Sequence, residues 1–227
     1  MRLVQPDEVT VYSAVWGDYW ERWGKPKWLP YMEALYPQPG AFLVVTDRPI
    51  DAPDWVTQLV KPDVNINNLV EYALRNLPTP LGFACMMDDG MPINALGQLT
   101  FAGDITIGPV LGSDGIVYSP TPEGFQNILE EEGFPCTGWN LMSPTLLDKV
   151  EYRHAPCFND WILFIEARVA GVEVGFDNIV RQFYTHHPKQ YSRNPRPNWR
   201  DDINLMKRLA KEKKIVKGKE FPPRTVD

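Results

Sequence analysis

The residues best suited to chemistry are two adjacent acids, Asp88 and Asp89. They follow the apolar run Phe83-Ala84-Cys85-Met86-Met87 and precede Gly90-Met91-Pro92. Short apolar runs read as buried strands. Acids placed directly after such a run fall at the strand's C-terminal edge, where open α/β sheets bind ligands. Adjacent carboxylates repel each other, and a hard divalent cation that also bridges phosphate oxygens offsets that charge. The same residues equally suit a solvated Asp-Asp-Gly turn. Other chemistries lack their patterns: the chain has no GxGxxG or P-loop signature, and no nucleophile elbow surrounds a serine or cysteine. The three cysteines, Cys85, Cys136 and Cys157, show no CxxC spacing. That argues against a disulfide framework or zinc site and suits a reducing compartment.

The elements that must position the acids follow from periodicity. Val9 to Val15 reads as a strand, rich in β-branched and aromatic residues, with a loop at Trp16 to Trp20. Lys27 to Leu35 has helical spacing, with Pro30 near its start. Ala41 to Val45 reads as a second strand, closed by Thr46-Asp47-Arg48-Pro49, and Trp55 to Val60 as a short third. Asn65 to Leu77 reads as a helix with an Asn cap, and Leu81 to Met87 as the strand that delivers the acids. This alternation predicts a parallel sheet with crossover helices over the first hundred residues. Met91 to Leu99 reads as a short helix.

The second half is more mixed. Strands are expected at Asp104 to Val110 and Gly115 to Tyr118, and a helix at Pro122 to Glu132. Thr137 to Met142 reads as a turn into a strand, and Pro144 to Val150 as one or two helical turns. Asp160 to Ala170 reads as a strong helix, with Asp160 at its start and Gly171 past its end. Val172 to Tyr184 is a strand region leading to His186-His187. Lys189 to Asn198 is irregular, and Trp199 to Lys214 reads as a basic helix.

At 227 residues the chain is one large domain or a domain plus a tail. Twenty-two prolines argue against a helical bundle. Charge is uneven: residues 1–180 carry 10 basic and 24 acidic residues, a net of −14, and residues 181–227 carry 13 and 5, a net of +8. A basic end on an acidic body either meets a polyanion or packs back as a solvated amphipathic helix. No apolar run approaches the ~20 residues of a membrane helix. The N-terminus lacks a basic-then-apolar signal pattern, so the chain reads as cytoplasmic.

From Val9 to His187 the order of motifs resembles glycosyltransferases of the GT-A fold, close in style to the large family-2 group. The resemblance implies a Rossmann-like, mainly parallel sheet flanked by helices. It implies a GT-A domain over 1–188, whose nucleotide-sugar half spans about 1–100 and whose acceptor half spans about 101–188. Residues 189–227 form a basic extension. In such enzymes the first strand enters the nucleotide pocket, here through Ser13 and Ala14, and the loop after it, here Trp16-Gly17-Asp18, holds the nucleotide. Asp47 stands where the family puts an acid that accepts from a pyrimidine N–H; a turn cap is its other reading. Arg75, in a segment similar to the family's Ala-Arg-Asn helix, becomes a diphosphate contact; its other reading is a surface arginine.

The acids then take the place of the DxD motif, with Mn²⁺ or Mg²⁺ the implied cofactor. Aligned on Pro92, Asp88 and Asp89 match the second and third acids of D-x-D-D, and Met86 replaces the first. Asp88 becomes the leading donor and metal ligand, with Asp89 beside it. Gly138, Trp139 and Asn140 resemble the Gly-Gly-Asn acceptor segment, and Phe158-Asn159-Asp160-Trp161 resembles the Glu-Asp motif. That match implies Asp160 as general base. As a plain helix cap Asp160 would remain available at a cleft. Trp139 and Trp161 would stack on a sugar or base. His186 or His187 would add a metal ligand, with His186 preferred.

The resemblance implies an inverting hexosyltransferase that uses a nucleotide-sugar donor, expected to be a UDP-sugar. Some viral relatives glycosylate hydroxymethylated bases in DNA, which would place the chain in the host cytoplasm and suit its basic end. Others build surface polysaccharide or lipid-linked glycan. A catalytically degenerate domain that binds sugar or nucleic acid is the remaining alternative, since Met86 is not an acid. A nucleotidyltransferase would need a Gly-rich loop that Ser13 to Tyr19 lacks.

Overall fold

The computed structural model describes residues 1–17, 32–34, 38–65, 68–84, 90–92, 96–126, 139–150 and 159–184. In chain order its strands are β1 (Arg2–Leu3), β2 (Val9–Val15), β3 (Ala41–Thr46), β4 (Val56–Val60), β5 (Leu81–Ala84), β6 (Gly90–Pro92), β7 (Thr100–Phe101), β8 (Ile105–Gly108), β9 (Val110–Gly112), β10 (Val117–Tyr118), β11 (Trp139–Met142), β12 (Val174–Phe176) and β13 (Gln182–Tyr184). The α-helices are α1 (Leu69–Arg75), α2 (Pro122–Gln126) and α3 (Asn159–Ala170), and Pro144–Asp148 is a 3-10 turn.

Seven strands form the main sheet in the order β12-β8-β11-β5-β2-β3-β4. All run parallel except β11, which is antiparallel to both β5 and β8. β2 lies beside β5 and β3 and is buried along its whole length, because both sheet faces are covered. Tyr12 and Ala14 face a core built with α1 and α3, including Leu43, Ala73, Leu74, Leu163 and Phe164. Val9, Val11 and Val15 face the opposite core with Val44, Phe83, Trp139 and Leu141. A doubly covered strand calls for a near-continuous apolar run, which β2 keeps except at the buried Thr10 and Ser13.

A second sheet, β10-β9-β13-β6, crosses between chain halves. β6 pairs antiparallel with β13 through Gln182↔Pro92, Phe183↔Met91 and Tyr184↔Gly90. This corrects the expected helix at Met91 to Leu99: residues 90–92 are a strand and 96–99 form a turn. Pairing to a segment ninety residues away overrides weak local spacing that contains Pro92 and Gly97. Two further expected strands divide between the sheets. Pro109 separates β8 from β9, and residues 177–181 separate β12 from β13. The segments 18–31 and 185–227, with the expected basic helix, lie outside the described residues.

The parallel direction defines one carboxyl edge. It holds the ends of β2, β3, β4, β5, β8 and β12, and the start of the antiparallel β11. One contact fixes how β11 enters there. A Cβ on Gly108 would press into Cε2, Cζ2 and Nε1 of Trp139, its paired residue. Gly108→Ala should therefore destabilise the fold by about 1–3 kcal/mol, the usual range for overpacking. A denaturant midpoint equal to wild type at unchanged slope would exclude this contact as a constraint.

Candidate functional site

At the carboxyl edge, two loops are clasped together. After β2 the chain turns at Gly17, whose φ of 61° lies in the left-handed region. The Gly17 N–H donates to Asp47 Oδ2 at 2.8 Å, and Arg48 Nη2 donates to the Gly17 carbonyl at 3.2 Å. Thr46 Oγ1 donates to the Arg48 carbonyl at 2.7 Å, which shapes the turn that presents Asp47. Asp47 thus braces the neighbouring turn at Gly17. Its second oxygen, Oδ1, is buried and has no hydrogen-bond partner among the described residues. A buried acceptor without a partner costs about 1–3 kcal/mol. An N–H donor from a ligand would remove that cost.

Ser13 and Ala14 lie deeper, fully buried inside β2. Ser13 Oγ likewise has no partner among the described residues. Ala14 packs into the core on the α1 face, while Trp16 is half-buried at the edge against the same core. Tyr12, two residues before Ala14, is a core phenol, and burial pushes its pKa above the ordinary value, so it stays neutral.

The structure does not bring Arg75 to this edge. α1 links the carboxyl end of β4 to the amino end of β5, so its last residue lies toward the opposite edge. There the half-exposed Arg75 pairs with Glu71 one helical turn away, at 2.9 Å. Trp139 is likewise no sugar platform. It is fully buried, stacks on Phe83 with ring centroids 5.6 Å apart, and donates from Nε1 to the Ile179 carbonyl at 3.0 Å. Asn140 follows it, half-buried and paired with Ile107 on the other face. Gly138 lies outside the described residues.

Asp160 and Trp161 fall in the first turn of α3. This helix feeds the amino end of β12, so its start points toward the carboxyl edge. Asp88, Asp89, His186 and His187 lie outside the described residues, and among the described residues no group of three His, Cys, Asp or Glu could hold a metal. Their stems are described, however, and they are paired: Gly90, which follows Asp89, is the Cα partner of Tyr184. Asp88 and His186 each stand two residues from this pair, and two residues of chain span at most ~7 Å. Two carboxylates and an imidazole are a donor set suited to Mn²⁺ or Mg²⁺.

Sequence reasoning missed Arg181 and Asp177. Both are buried, at 0% and 4% side-chain exposure, and bonded to each other at 3.1 Å. Nothing local marks an arginine as buried, since that residue type is ordinarily exposed.

No protein-family model matches the chain, and no curated protein matches it in sequence. Solved structures do match in fold. The S. aureus TarS 1-349 crystal structure in complex with UDP-GlcNAc superposes with a TM-score of 0.59 at 13% identity, covering 94% of this chain and 68% of that one. The TarS 1-349 complex with UDP gives 0.57 at 13% identity, with 94% and 67% covered. The crystal structure of S. aureus TarS gives 0.54 at 12% identity, and this chain covers 40% of it. TarS is a family-2 GT-A glycosyltransferase.

Removing the Asp47 carboxylate tests the clasp. Asp47→Ala should quicken hydrogen exchange at the Gly17 amide about tenfold, the worth of one charge-assisted hydrogen bond. Exchange there equal to wild type in a folded variant would show that Asp47 does not hold the neighbouring turn. The chain has a GT-A-like fold, and of the candidate donor residues its carboxyl edge holds Trp16 and Asp47.

Proposed function

We propose that this chain is a nucleotide-sugar-dependent glycosyltransferase, inverting and metal-dependent, with a UDP-sugar as donor. The observation that carries the reading is the β6–β13 pairing. It pairs Gly90, which follows Asp88-Asp89 in the chain, with Tyr184, which stands two residues before His186. The fold shared with TarS bound to UDP-GlcNAc supports the donor class.

In this reading Asp47 Oδ1 accepts the uracil N–H. Asp88, with Asp89, and His186 or His187 hold Mn²⁺ or Mg²⁺. The bound ion supplies neutralising charge to the departing diphosphate. Asp160, at the start of α3, takes the proton from the acceptor hydroxyl. The acceptor oxygen forms its bond to the anomeric carbon while the bond from that carbon to the diphosphate oxygen breaks, and UDP leaves from the opposite face.

The acceptor we propose is a polyanion, with DNA carrying hydroxymethylated bases as the leading case. The net of +8 over residues 181–227 favours it. Among the described residues no helix is long and apolar enough to cross a membrane. The unpatterned cysteines suit the cytoplasm. Met86, at the first acid of the motif, favours a second reading, a domain that binds donor without turnover.

Incubation with UDP-sugars and Mn²⁺ should release UDP, and chelation should abolish the release. Asp160→Asn should lower kcat by about 10²–10⁴ while leaving donor binding intact. Donor binding without UDP release from any common UDP-sugar would establish the second reading instead. Duplex DNA should bind, with affinity falling as salt rises. Undetectable binding at low salt, or binding indifferent to salt, would turn the acceptor toward surface polysaccharide or lipid-linked glycan.

A further inference from the structure

We propose that Lys61 is a specificity-determining residue of the donor site: it donates to the 4-carbonyl of the base, beside the N–H that Asp47 accepts, and so selects uracil over cytosine. The inference rests on the donor reading above. It starts from a row of residues across the carboxyl edge. Val15 pairs with Thr46, and Thr46 with Val60. Trp16, Asp47 and Lys61 therefore each stand one residue past the last pairing of β2, β3 and β4. The Lys61 N–H donates to the Thr46 carbonyl at 2.7 Å, which carries the ladder to its end. Adjacent strands lie about 4.8 Å apart, so Asp47 and Lys61 are neighbours across the sheet.

Acid and cation stand side by side yet do not pair. Asp47 Oδ2 is held by the Gly17 N–H, and its buried Oδ1 has no hydrogen-bond partner among the described residues. The Lys61 ammonium lies 5.3 Å from the centroid of the Tyr72 ring, within cation–π range. Tyr72 donates to Asp63 Oδ2 at 2.6 Å, which fixes the ring and occupies the nearby carboxylate. The ring packs on the α1 core, as Trp16 does. Among the described residues no carboxylate or carbonyl accepts from the Lys61 ammonium. An unmet acceptor and an unmet donor thus stand at the same edge on adjacent strands.

A ligand that meets both must present an N–H beside a carbonyl. The imide edge of uracil does so, with its N3–H flanked by two carbonyls. Cytosine does not. Its N3 is a bare acceptor that would set a lone pair against Asp47, and its 4-amino group cannot accept from a lysine, which only donates. Along the order β5-β2-β3-β4, β4 is the edge strand. In the donor reading the diphosphate lies toward the β5 end, so Lys61, beyond Asp47, meets the base and not the phosphates. Of the two uracil carbonyls, the 4-carbonyl is the farther from the ribose, which matches the outer position of Lys61. The Tyr72 ring holds the ammonium in place and leaves N–H donors for the base.

The test is titration calorimetry of the full chain with UDP and with CDP, Mn²⁺ present, in wild type and in Lys61→Met. The substitution keeps the length of the side chain and removes its charge and donors. Lys61 is half-buried and its backbone bond to Thr46 survives the change, so the variant should melt with wild type. Wild type should bind UDP at least about tenfold more tightly than CDP, the factor for one charge-assisted hydrogen bond. Lys61→Met should weaken UDP about tenfold and not weaken CDP, which narrows the preference by that factor. UDP bound as tightly by Lys61→Met as by wild type overturns the role. Equal weakening of both nucleotides overturns it too, since a lysine on the phosphates acts on both alike. A wild type that binds neither nucleotide overturns the donor reading and the role of Lys61 with it, and so differs from the failure of Lys61 alone.

Discussion

The carboxyl edge of this fold depends on one buried stack. Trp139 stacks with the ring of Phe83, carries the guanidinium of Arg181 against its ring, and packs on the bare backbone of Gly108. Three things follow from that contact. β11 can enter the sheet antiparallel between β5 and β8, because the missing Cβ leaves room for an indole. Arg181 has a π face to lie on, which offsets part of the cost of burying its charge. The turn at 97–98 has a fixed donor to bond, so the end of the acid-bearing segment has a defined place.

From this contact the sheet builds outward. β2, β3 and β4 run parallel away from β5, and their ends form the half of the edge where Asp47 clasps Gly17. On the other side, β8 and β12 deliver Asp177 and then β13, which pairs back onto β6. The two halves of the chain are therefore joined by hydrogen-bonded strands and not by apolar packing alone. That is a sound arrangement for chemistry at the seam, because hydrogen-bonded register sets the position of a side chain better than loop packing does.

Much of this was legible in the sequence where the cause is local. β2 was readable to the residue, because its β-branched and aromatic residues mark a strand whichever face they serve. The parallel alternation, the position of α3 and the turn at Asp47 were legible for similar reasons. The misreadings have non-local causes. Residues 91–99 carry weak helical spacing, but their partner is β13, far along the chain. Trp139, adjoining the acceptor-side motif, was expected to stack on a sugar or base, whereas Gly108 and Arg181, neither near it in sequence, pack against it in the interior. Arg75 was assigned by motif, although the return direction of a helix between parallel strands carries its last turn to the opposite edge. Arg181 had no sequence signal, because its burial follows from tertiary contacts alone.

The central claim is that the paired stems at Gly90 and Tyr184 converge on a metal and a nucleotide diphosphate. Crystals grown with UDP and Mn²⁺, measured at the manganese absorption edge, test it most directly. The account predicts one anomalous peak bounded by Asp88 and His186 or His187, touching the diphosphate, with the uracil ring beside Asp47 Oδ1. A nucleotide bound away from the carboxyl edge, or bound there with no manganese peak at those side chains, would contradict it.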